Sequence, residues 1–296
     1  MRRESVNTCV KRCELNYSPR RHRMILACSL SVLTLQPPRL LHRTKGVAEL
    51  IVPVSENVSV LLLEADESEQ GKLVDAALSD VGPVGTAMDD PYGVVLWPAG
   101  QVVAQAIAAR DLQGRSLLEL GAGTGLCSIA AAACGAAPVL ATDYREEPLA
   151  LLQQSAARTS KHLGVEVNVQ TRLYDIKADA EPLPVANLVV AADLLYMRST
   201  SVALARRCAE ALRSPECEAV IVGDLGRPGR AAFLEELVAL GVRPGAAKFE
   251  EVEGWTAGTA RHELISSNAE GSSESNAPRP RSVSVGLLQL TSEDLA

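Results

Sequence analysis

The chain has 296 residues, 47% of them apolar, with a formal charge of −7, which suffices for one large domain or two small ones; a single α/β domain with appendages is the simpler fit. The charge is uneven. Residues 1–45 carry ten Lys/Arg against Glu4 and Glu14, leaving 19 basic and 34 acidic residues in the remainder, a net −15. An acidic body argues against a nucleic-acid-binding surface and is compatible with a basic protein partner.

Residues 1–45 read poorly as a domain. They are Arg-rich, include Pro37-Pro38, and hold one apolar run at 24–35, whose twelve residues cannot span a bilayer, so no membrane segment is expected. The composition fits an organelle transit peptide, for a chloroplast or mitochondrion. It fits equally an unstructured tail, or an extension upstream of a true start at Met24; without an address the protein is expected in the cytoplasm. The folded domain is expected over 46–296.

Within 46–66, the runs 49–54 and 58–63 flank Ser55-Glu56-Asn57, a turn signal, and predict a small β-hairpin. A polar stretch at 64–72 and a Gly/Pro-containing stretch at 81–93 then lead to Leu96-Trp97-Pro98-Ala99-Gly100. Val102, Val103, Ala106 and Ile107 fall at helical spacing and predict a helix over 100–109. Thereafter strands are expected at 116–120, 138–142, 165–171, 187–192 and 219–222. Helices are expected between and after them, at 126–134, 147–163, 201–212 and 230–240. Apolar strands alternating with helices mean an α/β fold with a parallel sheet covered on both faces. The tail breaks this rhythm. Segments 262–266 and 283–290 are strand-like and suit an antiparallel pair at the sheet edge, with 267–282 a disordered loop.

Seven cysteines, at positions 9, 13, 28, 127, 134, 208 and 217, form no Cys-x-x-Cys pair and no histidine lies at ligand spacing. Neither a metal site nor a disulfide framework is indicated, and a reducing compartment fits. Cys127 and Cys134 share one helix face by spacing and read as small buried residues.

The most informative stretch is Leu117-Leu118-Glu119-Leu120-Gly121-Ala122-Gly123-Thr124-Gly125, followed by Ala141-Thr142-Asp143. A strand runs into a glycine turn and a helix, and the next strand ends on a carboxylate, so one βαβ unit presents a nucleoside pocket at its carboxyl edge. Asp143 can accept two hydrogen bonds from a ribose diol. A Walker A loop needs Gly-Lys-Ser/Thr, and here Gly125 precedes Leu126-Cys127, which argues against ATP. The third glycine falls one residue short of the dinucleotide fingerprint, and no Lys or Arg in the turn faces a pyrophosphate. Glu-x-Gly-x-Gly-x-Gly is instead the form of S-adenosylmethionine sites.

Asp90-Pro91-Tyr92-Gly93 with Leu96-Trp97-Pro98-Ala99-Gly100-Gln101, then Glu119 to Gly125, then Asp193-Leu194-Leu195-Tyr196, resembles the seven-β-strand methyltransferases that include protein lysine methyltransferases and nicotinamide N-methylase-like proteins. Gly223-Asp224-Leu225-Gly226-Arg227-Pro228 looks most like the branch containing the lysine methyltransferase of electron-transfer flavoprotein β subunit. The resemblance covers about 88–245 and implies a Rossmann-like seven-stranded methyltransferase sheet, mostly parallel with an antiparallel C-terminal edge. It implies S-adenosylmethionine as cofactor, with Gly121, Ala122 and Gly123 under its methionine portion, Glu119 supporting the turn or accepting from its amino group, Asp143 on the ribose and Ala192 lining the end of the fourth strand. Asp175 falls at the adenine edge, where the family often has tryptophan.

Trp97 reads as a core aromatic or as a cofactor-facing ring, the place before the entry helix favouring the second. Tyr144 would stack on adenine or simply pack. Asp193 closes a strand where α/β enzymes place reactive groups; it would orient an incoming amine while Tyr196 walls the channel, or else cap the next turn as a structural residue. The leading expectation is an N-methyltransferase acting on lysine in a protein, as a monomer with no nucleic-acid partner. A small heterocyclic or amine metabolite as acceptor, and a non-catalytic scaffold of the same fold, are the alternatives.

Overall fold

A computed structural model describes residues 36–79, 92–178, 180–256 and 280–296. Segments 1–35, 80–91, 179 and 257–279 lie outside the described residues, and with them Asp90-Pro91, the strand expected at 262–266, nearly all of the expected loop at 267–282 and most of the expected N-terminal extension.

Ten strands and six helices are described. β1 (Arg39–Thr44), β2 (Val47–Pro53) and β3 (Ser59–Ala65) form a three-stranded antiparallel sheet in that order. After helix α1 (Glu67–Ser79) and entry helix α2 (Pro98–Ala108) come β4 (Leu117–Leu120), α3 (Leu126–Ala133), β5 (Val139–Asp143), α4 (Glu146–Leu163), β6 (Gln170–Leu173) and β7 (Leu188–Ala192). Helix α5 (Arg198–Arg213), β8 (Ala219–Asp224), α6 (Arg230–Ala239), β9 (Glu250–Trp255) and β10 (Ser282–Leu290) complete the domain.

The main sheet runs β6-β5-β4-β7-β8-β10-β9. Its first five strands are parallel, while β10 lies antiparallel between β8 and β9. Alternation along each strand sorts the core into two layers. Leu117, Val139, Leu188, Val190 and Ile221 face α2, α3 and the small sheet, whereas Leu118, Leu120, Val189, Val220 and Val222 face α5 and α6. Successive strands step one way from β4 through β5 to β6 and the other way from β7 to β8. The order therefore reverses between β4 and β7, where open α/β sheets leave a crevice at their carboxyl ends.

Three expectations need correction, and one helix was not expected. The expected hairpin is two strands of a three-stranded sheet, because Arg39–Thr44, assigned by composition to the basic extension, pairs with β2 from Arg39↔Ile51 to Thr44↔Val47. The polar stretch after β3 is helix α1. Asp66 signals its start, since its Oδ1 accepts the Glu69 N–H at 2.9 Å as an N-cap does, and the polar sequence hides a helix that packs Leu73 against Ala65, Val94 and Val95. The third parallel strand is Gln170–Leu173, displaced from 165–171. Val165 is 48% exposed, and at this sheet edge pairing is set by β5 alone, which engages Gln170 to Leu173. Finally, the partner of β10 is β9, whose Glu250, Glu251 and Glu253 carry no β-like pattern; charged residues suit an outer edge by discouraging further pairing.

The small sheet is joined to the main domain through polar contacts. Ser155 Oγ on α4 accepts the Leu63 N–H at 2.9 Å, and Thr159 Oγ1 accepts the Leu61 N–H at 3.0 Å, so α4 satisfies the free edge of β3. Ser155→Ala leaves a buried N–H unsatisfied and is expected to cost about 1–3 kcal/mol. A chemical denaturation midpoint equal to wild type would show that water or a shift of α4 replaces the bond.

Candidate active site

The crevice is floored by the turn after β4. Gly121, Gly123 and Gly125 take positive φ of 62°, 52° and 79°, a backbone that L side chains rarely adopt. Space imposes the same requirement. A Cβ on Gly121 would lie 2.6 Å from the Leu194 side chain, and one on Gly123 would lie 3.0 Å from the Gly93 carbonyl oxygen. The segment after β7 and the turn before α2 thus close on the glycine turn from two sides.

Two buried carboxylates hold that turn. Glu119 Oε2 accepts the Ser128 N–H at 2.9 Å and the Ser128 hydroxyl at 2.5 Å, satisfying a free N–H in the first turn of α3. This ties β4 to the start of α3, the helix that follows the glycine turn. Asp143 Oδ2 accepts the Gly123 N–H at 3.0 Å and Oδ1 accepts the Arg145 N–H at 3.1 Å. The end of β5 is thereby tied to the glycine turn, and a hydroxyl pair bound at this carboxylate would also rest on the turn's backbone. The glycine conformations and this anchored acid fit a ribose diol, and no Lys or Arg lies in the turn to face a phosphate.

Asp193 follows β7 with φ of 56°, a left-handed conformation unusual for a residue other than glycine. Its N–H donates to Gly223 O at 2.9 Å, and its Oδ2 accepts the Ala99 N–H at 3.3 Å, at the start of α2. Its Oδ1 lies 3.5 Å from Arg227 Nε. Burial pushes the carboxyl up to about 6; the Arg227 charge opposes this and the Asp224 charge adds to it. Asp193 thus accepts a backbone N–H at the start of α2, far upstream in the chain, and not one in the turn that follows it.

Trp97 is the N-cap residue of α2. Its Nε1 donates to Tyr92 O at 3.2 Å, and its ring meets the Tyr92 ring edge-on at 6.1 Å. The Arg227 guanidinium sits 4.7 Å from the Trp97 ring centroid. Arg227 is the site residue to which sequence reasoning gave no role. The Gly223-to-Pro228 motif marked its segment, but only the fold brings it onto Trp97 and Asp193.

The remaining expected residues are more dispersed. Ala192 ends β7, half-buried; Ala122 is buried within the turn, its N–H donating to Thr142 O. Tyr144 is 44% exposed, and Tyr196 is half-buried just past Asp193. Asp175 closes a local turn after β6, its Oδ1 accepting the Lys177 N–H at 2.9 Å. Cys127 is buried with its thiol held well above the usual range by burial, and Cys134 lies one residue past α3, half-buried. Among the described residues no group of three His, Cys, Asp or Glu could hold a metal, and no helix is long and apolar enough to cross a membrane.

Burial pushes Glu119 up to about 7, the Ser128 hydrogen bonds opposing the rise. Folding thus raises this pKa above its ordinary value of 4.5, so the acid's stabilising contribution is full below pH 4.5 and is lost as pH rises through 7. Glu119→Gln keeps an acceptor for Ser128 without the charge. Denaturation at pH 5 and pH 8 is expected to show a smaller stability difference in the variant than in wild type; equal differences would place the titration elsewhere.

Comparison with known proteins agrees with this architecture. A family model described as lysine methyltransferase matches residues 85–237, just over half of the chain. The human electron transfer flavoprotein beta subunit lysine methyltransferase is 28% identical over 144 residues, 47% of this chain and 51% of that protein. The mouse histone-arginine methyltransferase METTL23 is 33% identical over 108 residues, 36% of this chain and 42% of that protein. A Caenorhabditis elegans homolog of the former is 38% identical over 63 residues, 21% of this chain and 26% of that protein. The chain spans about half the length of the first of these relatives and less of the others. With the α/β sheet, the glycine turn and the family match together, the chain belongs to the lysine methyltransferase family.

Proposed function

We propose that the protein is an S-adenosylmethionine-dependent N-methyltransferase whose acceptor is a lysine side chain in a protein. One observation carries the reading: at the point where the strand order reverses, the glycine turn tied to Asp143 and the buried Asp193 lie on neighbouring strand ends, β4 and β7 being hydrogen-bonded partners. In this reading the carboxylate that orients the amine stands beside the strand end that receives the nucleoside. The acceptor class is supported by the relatives, whose names specify proteins as substrates.

When bound, S-adenosylmethionine supplies an electrophilic methyl group on a sulfonium. An amine lone pair would take that methyl as the sulfonium leaves as a neutral thioether, so the protein's task is to align a neutral amine and exclude water. Discharging a lysine of pKa about 10.4 near pH 7.5 costs about 4 kcal/mol, which desolvation reduces. Asp193, ionised at neutral pH, accepts a hydrogen bond from the amine and aligns it; the proton lost from nitrogen goes to solvent. Tyr196, three residues on, walls the approach. Trp97 and the Tyr92-Gly93 turn close the opposite side.

Asp193→Asn is expected to lower turnover by about a hundredfold or more while cofactor affinity changes little. In wild type, turnover is expected to fall as pH drops through about 6, where the Asp193 carboxyl takes up its proton. Incubation with methyl-labelled S-adenosylmethionine and a protein extract tests the acceptor. Label in a protein lysine is the expected result; label only in small molecules, or in arginine, would overturn that part of the reading.

A further inference from the structure

Arg227 touches two residues of the site described above, Trp97 and Asp193. Its place is fixed by Asp224, a fully buried acid at the end of β8 whose carboxylate accepts the N–H groups of Gly226 at 2.9 Å and Arg227 at 3.1 Å and the Nε–H of Arg230 at 2.6 Å. Gly226 turns the chain with φ of 78°. This tight turn delivers the Arg227 side chain onto the Trp97 ring, and Trp97 is itself pinned through Nε1 to Tyr92 O. The guanidinium then lies 3.5 Å from Asp193 Oδ1.

The charge environment of Asp193 makes that contact decisive. On α2 no residue is titratable, and the helix offers only the Ala99 N–H. On the β8 side, Asp224 raises the Asp193 carboxyl, but its own charge is met by Arg230, which also reaches Glu251 at 2.8 Å. Tyr92 and Tyr196 on the flanking segments bring no cation. Among these neighbours Arg227 is the cation in direct contact with a carboxylate that burial drives toward its neutral form.

We propose that Arg227 is a positioning residue for methyl transfer: seated on Trp97, its guanidinium keeps the Asp193 carboxylate charged and fixed beside the acceptor nitrogen. The proposal rests on the reading of Asp193 given above. It carries a sign: without Arg227, Asp193 stays protonated to higher pH and offers the amine no anionic acceptor until that pH is passed.

The test uses the full chain with 13C-carboxyl aspartate, the Asp193 signal being assigned by its loss in Asp193→Asn. The Asp193 titration and the pH dependence of turnover are followed in wild type, Arg227→Gln and Arg227→Lys, with Arg227→Ala as a second neutral variant should the first fold poorly. In the neutral variant the Asp193 midpoint is expected to rise by about one unit or more, and the acid limb of turnover to rise with it. Arg227→Lys should return both most of the way. An unmoved midpoint, with turnover lowered evenly at all pH, would reduce Arg227 to a packing residue and overturn the proposal. So would an unmoved midpoint with a lower KM for the acceptor, which would make Arg227 an obstruction. Full turnover by Asp193→Asn would instead remove the acceptor role of Asp193 itself, whether or not the titration moves, so the two failures are distinguished.

Discussion

A carboxylate buried at the end of a parallel strand must find donors, and in this protein backbone N–H groups of the neighbouring turns and helix starts supply them. Glu119 on β4 takes the Ser128 N–H, Asp143 on β5 those of Gly123 and Arg145, Asp193 after β7 that of Ala99, and Asp224 on β8 those of Gly226 and Arg227. Each bond satisfies an acid that would otherwise be costly to bury and fixes a loop in one shape. Glu64, at the end of the small sheet, does the same for the Leu96 N–H just before the entry helix. The carboxyl edge of the sheet is therefore a rigid rim made of carboxylate-to-backbone contacts.

Rigidity at this rim has a chemical use. Transfer of a methyl group between two bound partners depends on their alignment, and the parts that would align them come from four strand ends and one helix start. The glycine turn has the tightest tolerance, since side chains at 121 and 123 would collide with Leu194 and with the Gly93 backbone. The acids there are not equivalent. Burial drives Glu119 to about 7 and Asp193 to about 6, the second with a guanidinium in contact, so charge at the rim is set by local partners more than by residue type.

Much of the parallel core was legible in the chain because its signals are local. Leu117 to Gly125 reads as strand, turn and helix start from its apolar run and glycines, and Asp143 as a strand end from the run before it; β4, α3, α4, β7 and β8 lie close to their expected places. What was not legible depends on partners distant in sequence. Gln170 rather than Val165 begins β6 because β5 decides where pairing starts, and Arg39–Thr44 is a strand because β2 lies beside it. In the site, the types and places of Glu119, Asp143, Asp193 and Trp97 could be read, but their bonds could not. Ser128 beneath Glu119 and Arg227 on Trp97 follow from tertiary packing; the Gly223-to-Pro228 motif marks the segment of Arg227 but not its contacts.

The proposed function requires that the rim between β4, β5 and β7 bind S-adenosylmethionine through Asp143. Calorimetric titration of the purified protein with S-adenosylmethionine, set beside NAD and Asp143→Ala, tests it most directly. One S-adenosylmethionine site is expected, with no comparable NAD binding, and affinity at least about tenfold weaker in the variant through the loss of a charged hydrogen-bond acceptor. Tighter binding of NAD, or an Asp143→Ala protein that folds and binds S-adenosylmethionine as wild type does, would contradict it.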